Sequence, residues 1–344
     1  MALSKRHSGM ELLRIISMAM VVLLHTNFPA LGEPSLDMCK QETLRASSQF
    51  LVESFAIVCV NCFVFISGWF SIKSSIRGFF NLLFLVVFYN LLDYFAFLGF
   101  RLIDFDFRQF ITHCNFLPYY WFVTCYIALY LLSPILNTFI DHADKAVARN
   151  TVLIFVVLDV VLGWGFYELQ FNRGHSLLHF MVIYLIARYI RVYGGRWFKF
   201  DKKYDLLIYL LISVLTPVAI MLCSKVAPSL WGHYDRLLRY NSPLVIVSTT
   251  YLSLFFTKLK FYSKTVNFIG ASCFAVYLIH QDVLMRGYVI DFCQYWFNNH
   301  SLFVYAGVVV LSIVGLFVVA VLVDQLRKWL WGLIQSRCFS EPKA

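Results

Sequence analysis

The stretch LLRIISMAMVVLLH, residues 12–25, places Arg14 and His25 inside the first long apolar run of this chain. The run around it is long enough to cross a bilayer, and an ionisable residue inside a membrane span is costly, so it is a functional candidate by default. Eleven positions at about 100° per residue return the two side chains to nearly the same helix face, roughly 16 Å apart along the axis. We therefore expect a guanidinium and a titratable imidazole to share one stripe that faces the protein interior.

Each of these residues also has a structural interpretation. Arg14 can reach the membrane interface and pair with Glu11 one turn earlier, and His25 can be a packed core histidine. The occurrence of both residues on one helix face favours a function.

Composition indicates a membrane protein. The chain has 344 residues, of which 60% are hydrophobic and 14% charged, and its mean hydropathy is +0.71. A soluble domain of this size does not need so much apolar surface. We predict an all-α polytopic protein with about ten transmembrane helices, near 10–30, 49–70, 79–101, 117–139, 149–167, 177–193, 205–223, 243–257, 267–285 and 301–325.

The net charge of +10 is distributed as membrane topology requires, and it does not indicate a nucleic-acid partner. With a cytoplasmic N-terminus, both termini and the even-numbered connections carry 18 of the 29 Lys and Arg residues, against 9 on the opposite side. This asymmetry predicts that both termini are cytoplasmic. The connections are short, so residues 1–344 are predicted to form a single transmembrane domain, and no metal-site or nucleotide-binding motif is present.

Four stretches, in order along the chain, carry a resemblance to a known family. They are Glu11-Leu12-Leu13-Arg14 with ten residues before His25, FVFISGWF at 63–70, Trp121-Phe122 followed by LYLLSPIL at 129–136, and AVYLIH at 275–280. Together they resemble the acyltransferase-3 family of integral membrane O-acyltransferases, without the appended hydrolase-like domain of some members. The chain departs from the family pattern after the second span, where closely spaced arginines are replaced by the sparser pair Lys73 and Arg77.

The resemblance implies transfer of an acyl group, often acetyl from acetyl-CoA, to a hydroxyl of a cell-envelope glycan or lipid-linked sugar. It also implies a bacterial cytoplasmic membrane and no tightly bound cofactor. His25 suits the general base, because its unperturbed pKa lies near physiological pH. Arg14 can hold an acidic group of the donor or order the donor's cytoplasmic access route, since it cannot be a base. Lys73 and Arg77 are candidates for the coenzyme A phosphates, although topology alone also explains them.

The remaining candidates are His280, Asn61, Ser67 and Trp121, as acceptor contacts or as supports of the site. His280 is as far along its span as His25 is along its own, so the two imidazoles can share one depth; the alternative is a histidine at a helix end near the interface. Asn61 and Ser67 also suit hydrogen bonds between helices. A rival function is a transporter or flippase for polysaccharide precursors, but we find no paired broken helices in corresponding halves of the sequence.

Overall fold

The computed structural model describes residues 7–115, 117, 119–166 and 171–338, and within them every regular element is helical. The predicted all-α polytopic class is confirmed. The α-helices are α1 Ser8–His25, α2 Phe28–Leu31, α3 Leu36–Gln41, α4 Thr43–Ala56, α5 Cys59–Phe70, α6 Ile76–Gly99, α7 Phe107–Cys114, α8 Trp121–His142, α9 Lys145–Leu158, α10 Leu177–Tyr193, α11 Lys202–Val226, α12 Pro243–Thr257, α13 Lys264–Gly270, α14 Cys273–His280, α15 Val283–Asn299 and α16 Leu302–Cys338. A π-helical turn, Asp159–Gly165, continues α9, and short 3-10 segments span Asn172–Gly174, Arg196–Phe198 and Pro228–Leu238.

Helix α1 lies at the centre of the bundle. It packs against α4, α5, α12, α13 and α14, so other helices contact it on several sides. Its N-terminal end is fixed where the Ser8 hydroxyl donates to Asn267 Oδ1 at 2.9 Å. Because α1 is surrounded, the Arg14–His25 stripe lies among other helices, with both residues half-buried.

A helix is present in each of the ten predicted segments, but not every helix is long enough to cross a membrane. Seven helices of the described residues are long and apolar enough to span, or eight if the bent pair α13–α14 and α15 counts as one span. The helices at 177–193 and 243–257 have 17 and 15 residues, which is short for a perpendicular crossing. The predicted number of ten spans and the orientation of the termini stay predictions.

The predicted span at 267–285 is broken near its end in the structure. Helix α14 ends at His280, and the chain bends by 84° into α15. The bend follows from the cap at Asp282, whose Oδ1 accepts a hydrogen bond from the Leu284 amide at 2.8 Å and begins a new helix. This break leaves His280 at a helix end inside the bundle.

Candidate active site

Two histidines, each the last residue of its helix, meet inside the bundle. His25 ends α1 and His280 ends α14, and His25 Nδ1 lies 2.9 Å from His280 Nε2. Their ring centroids are 5.1 Å apart. The structure thus places side by side two candidates that lie 255 positions apart in the chain, at a common depth.

The hydrogen-bond partners of His280 determine the tautomer of both rings. His280 Nδ1 lies 2.6 Å from the Val276 carbonyl oxygen, which can only accept, so Nδ1 carries the proton and donates. The Nε2 of a neutral His280 is then an acceptor, and His25 must donate to it from Nδ1. A neutral His25 consequently has its lone pair on Nε2, and no residue in the described ranges hydrogen-bonds that atom.

His25 lines an internal cavity of about 360 Å³. The part of the cavity toward the N-terminal end of α1 is enclosed by apolar side chains, Met18, Val21, Val60, Phe63 and Phe274. Met18 and Val21 lie seven and four positions before His25 on the same face of α1, so this apolar part extends about 10 Å along the helix from the imidazole. These side chains therefore form an apolar compartment beside His25, the candidate base.

Charged side chains surround the other part of the cavity, which we call the mouth, and they are Glu33, Arg173, Asp235 and Arg239. The same four residues line an adjoining outer cavity of about 560 Å³. Arg239 donates two hydrogen bonds to Asp235 Oδ2, at 3.1 and 2.6 Å. The exposed Glu33 places the mouth at the protein surface, so a polar molecule can approach His25 from this end.

His175 lies in the cavity wall, two positions after Arg173 of the mouth. Burial, together with the charges of His179 and Arg173, lowers the pKa of His175 to about 4, and its hydrogen bond to the Asn172 carbonyl partly opposes this shift. The imidazole of His175 is therefore neutral at pH 7 and can exchange hydrogen bonds with a ligand without carrying charge.

Arg14 is not part of the cavity wall. Its Nη1 donates to Glu11 Oε1 at 2.8 Å, which is the structural pairing considered from the sequence. The side chain is 33% exposed, and Arg14 is eleven positions before His25, about 16 Å along the helix. Arg14 and His25 lie on one helix, but only His25 lines the cavity.

Three other candidates also lie outside the cavity wall. Lys73 and Arg77 are exposed, in and just after the connection between α5 and α6. Ser67 donates to the Phe63 carbonyl within α5 at 2.9 Å and lies 3.1 Å from the Tyr126 hydroxyl of α8. Ser67 therefore joins two helices, as one of its two interpretations required.

Asn61 and Trp121 are both connected to the cavity, in different ways. Trp121 lines it directly. Asn61 is fully buried; its Nδ2 donates to the carbonyl of Tyr240, another wall residue, at 2.9 Å, and its Oδ1 lies 2.9 Å from His179 Nε2.

Sequence reasoning missed several residues of the wall. Glu53 is 8% exposed, lines the cavity and accepts a hydrogen bond from Asn27 Nδ2 at 2.8 Å. The sequence did mark Glu53 as a candidate, because it is an ionisable residue inside the predicted span 49–70. The same criterion selected His25. The mouth residues and His175 lie in connecting segments, where no periodic pattern marks them.

Comparison with known proteins supports an enzyme. A family model described as an acyltransferase domain matches residues 7–324, almost the whole chain. No curated protein and no solved structure matches the chain significantly. The transporter alternative expects two broken helices in corresponding halves, whereas the described residues contain one strongly bent pair, α13–α14 with α15.

Proposed function

This chain belongs to the acyltransferase-3 family and is a multi-pass membrane acyltransferase, and we propose that it is an acyl-CoA-dependent O-acyltransferase. The donor we propose is acetyl-CoA, acting as a substrate, with no tightly bound cofactor. The acceptor is a hydroxyl of a cell-envelope glycan or lipid-linked sugar, at a bacterial cytoplasmic membrane. One observation carries the proposal: a histidine with a free Nε2 lone pair, held in place by a second histidine, lines a cavity with a polar mouth.

The proposed reaction needs a proton acceptor, because an alcohol attacks a thioester slowly at neutral pH. His25 Nε2 takes the proton of the acceptor hydroxyl as its oxygen bonds to the thioester carbonyl carbon. The carbon–sulfur bond then breaks, and the proton on His25 passes to the thiolate to give the free thiol of coenzyme A. General-base assistance of this kind contributes about 10²–10⁴-fold to the rate.

His280 acts as the positioning residue for this base. By accepting from His25 Nδ1–H it keeps the lone pair of His25 on Nε2, the atom that must face the acceptor. When His25 takes a second proton, the same hydrogen bond becomes charge-assisted and therefore stronger. The Val276 carbonyl supplies the corresponding constraint on His280 itself.

The two ends of the site suit different substrates. By the positive-inside rule, Arg14, Lys73 and Arg77 lie toward the cytoplasm, where the acidic groups of coenzyme A are available. The mouth lies toward the opposite face, where an envelope glycan or its lipid-linked precursor is found. We propose that donor and acceptor approach His25 from opposite sides of the membrane.

The experiment is turnover of labelled acetyl-CoA by the purified protein in nanodiscs with a glycan acceptor. His25→Ala should lower acyl transfer at least about 100-fold, the lower end of general-base contributions, while the protein still inserts and folds. The matched control is His142→Ala, since His142 is an exposed histidine outside the cavity wall. A folded His25→Ala protein that keeps more than about a tenth of wild-type activity would contradict the proposal.

A further inference from the structure

Three aromatic rings in the cavity wall contact one another, and we call them the ring wall: Trp121, His175 and Tyr240. The Trp121 and His175 centroids are 4.4 Å apart, those of His175 and Tyr240 4.9 Å, and those of Trp121 and Tyr240 5.9 Å. All three line the cavity, and Trp121 and His175 are only half-buried. Aromatic surface is thus presented to the cavity on the side toward the mouth.

The backbone conformation at Gly174 holds two segments of the ring wall together. A Cβ at this position would come within 2.6 Å of Tyr240 Cβ and 2.9 Å of the Asn241 amide nitrogen. Its φ of +91° is also one that residues with a side chain rarely adopt. Glycine here lets the turn before His175 lie directly on the Tyr240 backbone, which brings the two rings into contact.

A buried polar chain supports the same wall from behind. Asn61 Nδ2 donates to the Tyr240 carbonyl, so Asn61 Oδ1 must face the other way, toward His179 Nε2. His179 Nδ1 lies 2.7 Å from Asp159 Oδ2, a second acceptor. Nε2 faces the Asn61 oxygen, an acceptor, so Nε2 carries a proton, and a second proton lies in the hydrogen bond between His179 Nδ1 and Asp159 Oδ2.

This chain is fully buried, and it spans three elements. Asp159 begins the π-helical turn, His179 belongs to α10 and Asn61 to α5, and each is 0% exposed. A buried polar pair is weak support for stability but can specify one arrangement of the groups around it. Here the group at its end is the backbone carbonyl of Tyr240.

We propose that the ring wall is the acceptor subsite, that it binds a pyranose ring by stacking, and that the Asp159–His179–Asn61 chain positions it. The proposal rests on the proposed function and adds to it the residues that select the acceptor. A pyranose has a face of C–H groups that stacks on aromatic rings and an edge of hydroxyls that need polar partners. The ring wall provides the first, and the neutral imidazole of His175 and the charged mouth provide the second.

The location of the ring wall fits this order of contacts. His175 and Tyr240 closely follow the mouth residues Arg173 and Arg239 in the chain, and all of them line the same cavity as His25. The apolar compartment extends from His25 along α1 toward Met18. A ring stacked on Trp121 therefore has its hydroxyl edge available to both the mouth and the candidate base. An open-chain polyol offers hydroxyls but no flat face, so the subsite should discriminate between the two.

The test compares methyl α-D-glucopyranoside with D-glucitol as acceptors of acetyl from acetyl-CoA. The wild-type protein should have the lower acceptor KM for the pyranoside. Trp121→Leu, which keeps an apolar side chain but no ring, should raise that KM by about fivefold or more. Trp121→Phe keeps a ring, so its KM should stay close to the wild-type value. Asn61→Asp can still accept from His179 but cannot donate to the Tyr240 carbonyl, so it should also raise the acceptor KM more than it lowers kcat.

The control is Trp329→Leu, because Trp329 is 60% exposed on α16 and does not line the cavity. It should keep the wild-type preference. Equal KM values for pyranoside and glucitol in the wild type would overturn the proposal. So would a Trp121→Leu protein that retains the preference, or an Asn61→Asp protein whose acceptor KM is unchanged.

A binding measurement separates this proposal from the proposed function. Isothermal titration calorimetry of the methyl glycoside with donor-free protein in nanodiscs measures binding to the subsite without any acyl transfer. Binding that is weakened in Trp121→Leu would support the ring wall even if no transfer occurred, in which case only the proposed function would fail. A parallel titration with a polyisoprenyl-phosphate-linked hexose shows whether the ring arrives free or on a lipid; binding of neither ring would overturn the subsite.

Discussion

At the scale of single residues, the contact between His25 and His280 changes the role that we assign to His280. His280 was a candidate for acceptor contact in the sequence, yet the structure places its Nε2 on His25 and its Nδ1 on a backbone carbonyl. Both of its ring nitrogens are therefore in use within the protein. His280 has the contacts of a residue that orients another side chain.

Removal of His280 should accordingly lower kcat. We expect His280→Ala to reduce acyl transfer by about 10- to 100-fold, because His25 then loses the partner that selects its tautomer, while the affinity for acetyl-CoA is retained. His280→Gln should recover part of the activity, since its side-chain carbonyl can accept from His25 Nδ1–H. Turnover is measured beside equilibrium binding of acetyl-CoA. A loss of donor affinity in His280→Ala would show that His280 belongs to the donor site.

His175 allows a pH prediction. Since burial lowers its pKa in the folded protein to about 4, below the usual value of about 6.5, the unfolded chain binds more protons between these two pH values. The contribution of His175 to stability is therefore complete above about pH 6.5 and is lost as the pH falls toward 4. We expect the Tm of the wild type to fall more steeply across this interval than that of His175→Gln. Parallel Tm curves for the two proteins would contradict the assignment.

At the scale of elements, the break between α14 and α15 is what presents His280 to His25. Asp282 holds this break on two sides: its Oδ1 caps α15 at the Leu284 amide, and its Oδ2 lies 2.9 Å from His113 Nε2. The Tyr120 hydroxyl donates to the same Oδ2 at 3.4 Å. One carboxylate thus connects the helix break to α7 and to the residue before α8.

Asp282 variants should show how strongly the break controls the site. Asp282→Ala should destabilise the fold by about 1–3 kcal/mol, through the lost cap and the partners left unpaired, and should lower acyl transfer because the end of α14 is released. Asp282→Asn keeps an oxygen acceptor for the Leu284 amide, so more of the activity and stability should remain. Thermal unfolding and turnover are measured together. An Asp282→Ala protein with wild-type turnover would mean that the break does not position His280.

At the scale of the whole molecule, the two ends of α1 have chemically different surroundings. Arg14 and Glu11 lie near the N-terminal end of α1, and His25 and the mouth lie near its other end, about 16 Å away. The apolar compartment separates these two polar regions. The proposed function places these two regions on different sides of the membrane.

Cysteine labelling tests this orientation. After replacement of the native thiols, cysteine at Lys73 or Lys202 should react only with reagents that reach the cytoplasm, and cysteine at Arg45 or Arg236 only with reagents applied outside. Membrane-impermeant maleimide on intact cells and on inverted vesicles provides the two measurements. Labelling of the 71–78 connection from outside would reverse the orientation, and with it the proposed access routes of donor and acceptor.

The sequence by itself determined the class of the fold and the spacing within α1. Apolar runs of membrane length predict helices because backbone groups in a bilayer must be hydrogen-bonded within the segment, and the period of the helix then places Arg14 and His25 on one face. Ionisable residues inside such runs are rare and costly, which selected His25 and would equally have selected Glu53. These are local properties, set by residues within one helix.

Only the tertiary structure decided which of these residues meet. The His25–His280 contact joins positions 255 apart, and the ring wall collects Trp121, His175 and Tyr240 from three distant segments. The break inside the predicted span 267–285 begins with the local cap at Asp282, but the contacts of Asp282 with His113 of α7 and with Tyr120 come from distant segments. Helix periodicity specifies which face a residue occupies, whereas packing between helices determines what that face touches.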